Sequence, residues 1–130
     1  MAHARRSDTL PNRSCPWVRE QRLDTVFTTS ITVAEILYGI ERLPRGKRRN
    51  VLRATAEELF ADFRRQVLAF DESAAARYAT VVAERDRVGL PINGFDGQLA
   101  AICLDQQAPF ATRNVKDFAG TGVDVIDPFR

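Results

Sequence analysis

The chain is poor in the residues that usually advertise a chemistry. Among its 130 residues are two cysteines and one histidine. Cys15 and Cys103 cannot staple a disulfide scaffold, and with His3 alone they make no zinc constellation. A single imidazole near the amino terminus also leaves no plausible histidine base, and Ser/His/Asp, GxGxxG and Walker-type patterns are missing. No apolar run approaches the ~18 residues that a bilayer span needs, so no membrane association is expected. The opening MAHARRSDTLPNR is charged, with no apolar stretch or small-residue cleavage site. Secretion is therefore not expected, and a reducing, cytoplasmic setting is.

What is present is globular. Hydrophobic residues make up 45% and charged residues 28%, a balance that argues against disorder and allows a core without staples. Net charge is only +2, yet residues 1–50 hold ten Lys/Arg against five Asp/Glu, and residues 51–130 hold nine against twelve. One part can attract phosphate while the other carries surplus carboxylate.

Residues 1–20 show no clean period and read as irregular, with at most a helical turn around 15–22; residues 1–24 make an atypical amino-terminal segment and 25–130 one domain. TVFTT is strand-like, Ser30 offers an N-cap for the helix ITVAEILYGIERL, and Pro44 with Gly46 ends it. A basic loop, RGKRRN, precedes the helix VLRATAEELFADF. QVLAF is a strand, Asp71 caps ESAAARYATVVAERDRV, and Gly89 stops it. DGQLAAICLDQ is helical, PFATR a strand, NVKDF a turn and VDVI a last strand. Strands alternating with helices imply right-handed crossovers and an α/β fold with a mostly parallel sheet.

In such sheets, sites form where the chain leaves the carboxyl ends of strands. Glu35 follows TVFTT, on a helix whose stripe is Val33, Ile36, Leu37 and Ile40; alone, it reads as an exposed glutamate. Asp96 shares a helix side with Leu99 and Cys103, and its plain reading is a cap or first-turn acid. Thr112, Arg113, Asn114 and Asp117 follow PFATR, where Asn and Asp also favour an ordinary Asx turn. Together these oxygen donors could converge at one sheet edge, where a hard cation would relieve their repulsion. Mg²⁺ or Mn²⁺ suits such a set and can activate water against a phosphodiester.

The segments TVAEILYGI, P-I-x-x-x-D-x-x-L-A and ATRNVKDF, in this order and spacing, resemble the PIN-domain family, and more narrowly the VapC/FitB-like toxins of type II toxin–antitoxin modules. The resemblance covers residues 25–130. It implies a three-layer α/β/α PIN-like fold and a Mg²⁺-dependent endoribonuclease that acts on RNA. It also implies a homodimer, neutralised by a VapB-like antitoxin that binds operator DNA. Position by position, Glu35 and Asp96 match family acids. Asn114 and Asp117 both lie where the last polar ligand falls, and Thr112 matches a hydroxyl lining the site. The resemblance thus implies Glu35, Asp96 and Asp117 as metal ligands, and Arg113 reads as an RNA-phosphate contact.

One departure stands out. Family members open with an apolar strand ending in an Asp-Thr-Asn-type motif, whereas this chain opens MAHARRSDTLPNRSCPW. The first central strand is therefore expected to be absent or replaced, as an alternative start, a frameshift or a truncated gene would make it. Asp8-Thr9 is the nearest match, but its spacing to Glu35 is shorter than the family's. The alternative to an active toxin is thus an inactive PIN-like module that dimerises and binds an antitoxin.

Lesser features have plain readings. Arg42, Arg45, Lys47, Arg48 and Arg49 read as a solvated helix junction or a surface for RNA or antitoxin. Cys103 reads as core, and Trp17 and Tyr38 as packing or interface residues. The helical pair within 31–60 reads as a partner face.

Overall fold

A computed structural model describes residues 3–5, 26–63 and 66–128. Among these residues five short strands form one sheet in the order β3-β2-β1-β4-β5, and all four neighbouring pairs are parallel. The strands are β1 His3–Arg5, β2 Val26–Thr29, β3 Val67–Leu68, β4 Phe110–Ala111 and β5 Val125–Ile126. Between them run α1 Ser30–Glu41, α2 Lys47–Asp62, α3 Glu72–Arg87 and α4 Gly94–Gln106, and a 3₁₀ turn, Val115–Phe118, follows β4.

The central position is filled. His3–Arg5 pairs with β2 on one side and β4 on the other, so of the two expectations for the first strand, replacement holds. The reading of residues 1–20 as irregular is corrected at this point: HAR is extended. A central strand needs two partners for its backbone groups more than it needs side-chain pattern, and periodicity over three residues carries no signal. Asp8, Cys15 and Trp17 lie outside the described residues.

The helices follow local chemistry, with shifted ends. Asp71 caps α3 as expected, its side chain accepting from the Ala74 N–H at 2.9 Å. Gly89, at φ +75°, supplies the left-handed residue that ends it. The basic loop is corrected: Lys47–Asn50 already form the first turn of α2, which Gly46 precedes. Arginine and lysine are good helix formers, so the charge run did not mark a break.

The core gathers Val81 of α3, Leu99, Ala100 and Cys103 of α4, Ala108, Phe110 of β4 and Phe118. Phe110 and Phe118 meet edge-to-face, with ring centroids 4.9 Å apart. α4 is the most deeply packed helix: Leu99, Ala100 and Ala101 are 0% exposed. It docks on α3 so closely that a Cβ on Gly97 would lie 3.0 Å from Tyr78 Cε2 and from Val82 Cγ2. Burial of Cys103 pushes its thiol up to about 12, so it is an inert core residue, as expected.

Candidate active site at the carboxyl edge of the sheet

β2 passes directly into α1. Thr29, still extended, is the cap: its Oγ1 accepts from the Thr32 N–H at 3.0 Å, and the two hydroxyls bond at 3.0 Å. Ser30, expected as the cap, is the first helical residue instead; a capping hydroxyl needs β-region backbone to reach back over the first turn. This start sets the phase of α1, and Glu35 comes out partly buried, with Oε1 withdrawn from solvent. It is not the exposed glutamate of the plain reading.

Asp96 owes its placement to a residue that sequence reasoning missed. Asn93 caps α4, accepting from the Asp96 N–H at 2.8 Å through Oδ1 while its Nδ2 donates to Asp96 Oδ2 at 2.8 Å. This exchange differs from a capping box, since Asp96 accepts from the Asn93 side-chain amide and not from its backbone N–H, and N-x-x-D just before an apolar helix was the signal that could have shown the cap. The helix therefore starts at Gly94, ahead of the expected Asp96. Asp96 is 4% exposed in the first turn, so the plain reading and the inward carboxylate are both realised by one side chain.

The third contribution follows β4. Thr112 is 1% exposed, and its Oγ1 accepts from the Asn114 N–H at 3.1 Å, forming a tight hydroxyl turn. Asn114 is half-buried, whereas Arg113 and Asp117 are exposed.

Register brings these pieces together. Ala4 of β1 is level with Phe27 on one side and Phe110 on the other, so Thr29 and Thr112, each two residues on, leave the sheet at the same height. α4 packs against both α1 and the 3₁₀ turn. β2 and β4 thus lead at one height into the helix that carries Glu35 and into the Thr112–Asn114 turn, and Asp96 stands in the first turn of α4. Asp117 sits further along, on the exposed side.

Among the described residues no three His, Cys, Asp or Glu side chains form a group that could hold a metal ion. Glu35, Asp96 and Asp117 are therefore not gathered into a closed cage. Mg²⁺ does not require one, since it commonly binds through one or two carboxylates and keeps waters and substrate phosphates as its remaining ligands. The donors at this edge are carboxylate, hydroxyl and amide oxygens, with neither thiol nor imidazole, and they fit a hard cation of that kind.

Two members of the basic run, Arg42 and Arg49, make structural contacts. Arg49 Nη2 meets Glu41 Oε2 at 2.6 Å, Arg53 pairs with the other Glu41 oxygen, and Arg42 lies 5.5 Å from the Tyr38 ring centroid. These contacts stitch the α1–α2 junction, so the plain reading holds for Arg42 and Arg49. Tyr38, expected in packing or an interface, is 62% exposed.

A family model described as the PIN domain matches residues 2–122. The chain belongs to the PIN-domain family. It is 37% identical over 114 residues to the plasmid stability protein StbB of Pseudomonas syringae pv. tomato, covering 87% of this chain and 82% of that one. It is 33% identical over 114 residues to the VapC ribonuclease Y4jK of Sinorhizobium fredii, covering 87% and 81%. Among solved structures, FitAB bound to an IR36 DNA fragment matches with a TM-score of 0.85 at 30% identity, over 98% of this chain and 96% of that one. The three-layer α/β/α PIN fold is the architecture shared with these proteins. Among the described residues no helix is long and apolar enough to cross a membrane.

Proposed function

We propose that this PIN domain is the toxin of a type II toxin–antitoxin module and acts as a Mg²⁺-dependent endoribonuclease. The observation that carries the reading is Asp96, a carboxylate taken out of solvent and oriented by Asn93 in the first turn of α4. Burying a carboxylate is costly unless it is bonded or serves a cation; the Asn93 amide bonds one oxygen of Asp96, and in this reading a cation neutralises its charge. Likeness to a VapC ribonuclease supports RNA as the substrate class.

In this reading Asp96 and Glu35 hold the cation, with Asn114 or Asp117 as a further oxygen donor. When bound, Mg²⁺ or Mn²⁺ supplies an acidified water and charge neutralisation at the scissile phosphate. The chain's own residues do the rest. Asn93 fixes the Asp96 oxygens, Thr112 holds the turn that presents Asn114, and exposed Arg113 meets a neighbouring RNA phosphate.

The partner face is a groove of about 510 Å³ between α1, α2 and β3, lined by Ser30, Val33, Glu57, Phe60, Ala61 and Val67. Its apolar floor suits an antitoxin segment, and the complex matched above supports a bound state with such a partner. The toxin is read as a homodimer.

A second reading is favoured by the absence, among the described residues, of a three-ligand metal group: an inactive module that only binds its antitoxin. One assay separates the two. Purified chain incubated with total RNA cuts it in Mg²⁺ and stops in EDTA if the nuclease reading holds; cutting that ignores EDTA, or survives Asp96→Asn, contradicts it.

A further inference from the structure

Arg85 stands in the last turn of α3, where an arginine ordinarily faces solvent and complements the helix dipole. Here it is only 7% exposed. Its guanidinium turns to backbone: Nε–H donates to Leu90 O at 2.5 Å, and Nη1–H donates to Asp117 O at 3.3 Å and to Ala119 O. All three acceptors are main-chain carbonyls, and they belong to two different loops. Leu90 lies in the connection that leads to Asn93 and Asp96. Asp117 and Ala119 lie at the end of the segment that begins with Thr112 and Asn114.

One planar cation therefore joins the loop that leads to Asn93 and Asp96 with the segment that follows Thr112 and Asn114. Burying a guanidinium costs several kcal/mol unless its donors are satisfied, and carbonyls of these two loops satisfy it. The geometry cannot be copied by lysine. An ammonium is a compact point charge that reaches one locus, whereas the guanidinium fork directs donors along separate, fixed directions.

We infer that Arg85 is a positioning residue of the PIN site: it sets the spacing between the Asn93–Asp96 arm and the Thr112–Asn114 arm. This rests on the nuclease reading for its catalytic consequence, though not for the tie itself. Misplacement of about 1 Å at a reacting centre can cost ~10²-fold in rate, and it falls on turnover more than on binding of a long polyanion.

The test uses the full chain as wild type, Arg85→Met, Arg85→Lys and Arg85→Ala. Hydrogen exchange read by mass spectrometry is expected to show segments 88–93 and 112–119 exchanging faster in both Arg85→Met and Arg85→Lys, with α1 and α2 unchanged. RNA cleavage is expected to lose about 10²-fold in kcat with KM within about threefold, and millimolar guanidinium added to Arg85→Ala is expected to restore part of it. Should Arg85→Met fail to fold, Arg85→Lys carries the comparison. Uniform loosening of all segments, or unaltered exchange in both loops, would overturn the tie. Normal kcat in a variant whose loops have loosened would overturn the positioning role. If wild type itself does not cut RNA, the nuclease reading falls, and the exchange pattern still decides the tie.

Discussion

At the scale of single residues, the site depends on a neutral side chain as much as on acids. Asn93 both starts α4 and holds Asp96, so Asn93→Ala should cost about 1 kcal/mol of stability through the lost cap. It should also cost ~10- to 100-fold in RNA cleavage, because supporting groups around a metal-binding carboxylate usually matter by that much. Thermal unfolding and initial cleavage rates check the two effects separately. Cys103 makes a different prediction. Its folded thiol titrates near 12, well above an unfolded thiol, so folding stabilises the protonated form. That contribution is fully present below the unfolded thiol's pKa and fades as pH rises from there through the folded one. Stability should therefore fall on the alkaline side, and Cys103→Ala should flatten that fall in urea titrations at pH 8 to 11. The same burial should leave Cys103 unmodified by iodoacetamide until the chain unfolds.

At the scale of elements, the docking of α4 decides whether Asp96 reaches the sheet edge. Gly97 is the contact point with α3, and a methyl there would press on Tyr78 and Val82 at 3.0 Å. Gly97→Ala should cost about 1–3 kcal/mol by overpacking, against the small gain in helix propensity expected at an open position. Urea unfolding measures which term wins. Elements were also what the sequence made most legible. Asp71 and Gly89 bracket α3 where local chemistry put them, and the strand-like TVFTT, QVLAF, PFATR and VDVI all contain strands. Errors fell at boundaries: Thr29 displaced Ser30 as a cap, and the basic run 47–50 joined α2. Both are cases in which several neighbours could serve locally and tertiary placement chose among them. Arg85 was not legible at all, because its partners are carbonyls of loops far along the chain, which leave no pattern in sequence.

At the scale of the whole molecule, the carboxyl edge is assembled by topology. Glu35, Asp96 and Thr112 lie in three separate connections, and the parallel order with β1 between β2 and β4 sets Thr29 and Thr112 at one height. The alternation of strands and helices was legible in the sequence, whereas β1 was not, since a three-residue strand takes its identity from its neighbours. Glu35, Asp96 and Thr112 are not among the residues lining the groove between α1, α2 and β3, so partner binding and RNA cleavage should separate by mutation. Phe60→Asp should abolish co-purification with the antitoxin while leaving cleavage by the free chain intact. The most direct measurement is cleavage of total RNA by the purified chain, with Glu35→Gln and Asp96→Asn beside it, in Mg²⁺ and in EDTA. Mg²⁺-dependent cutting by the wild type, reduced at least ~10²-fold in each variant and abolished by EDTA, is the expected result. Equal cutting by wild type and both variants, or none by the wild type, would contradict it.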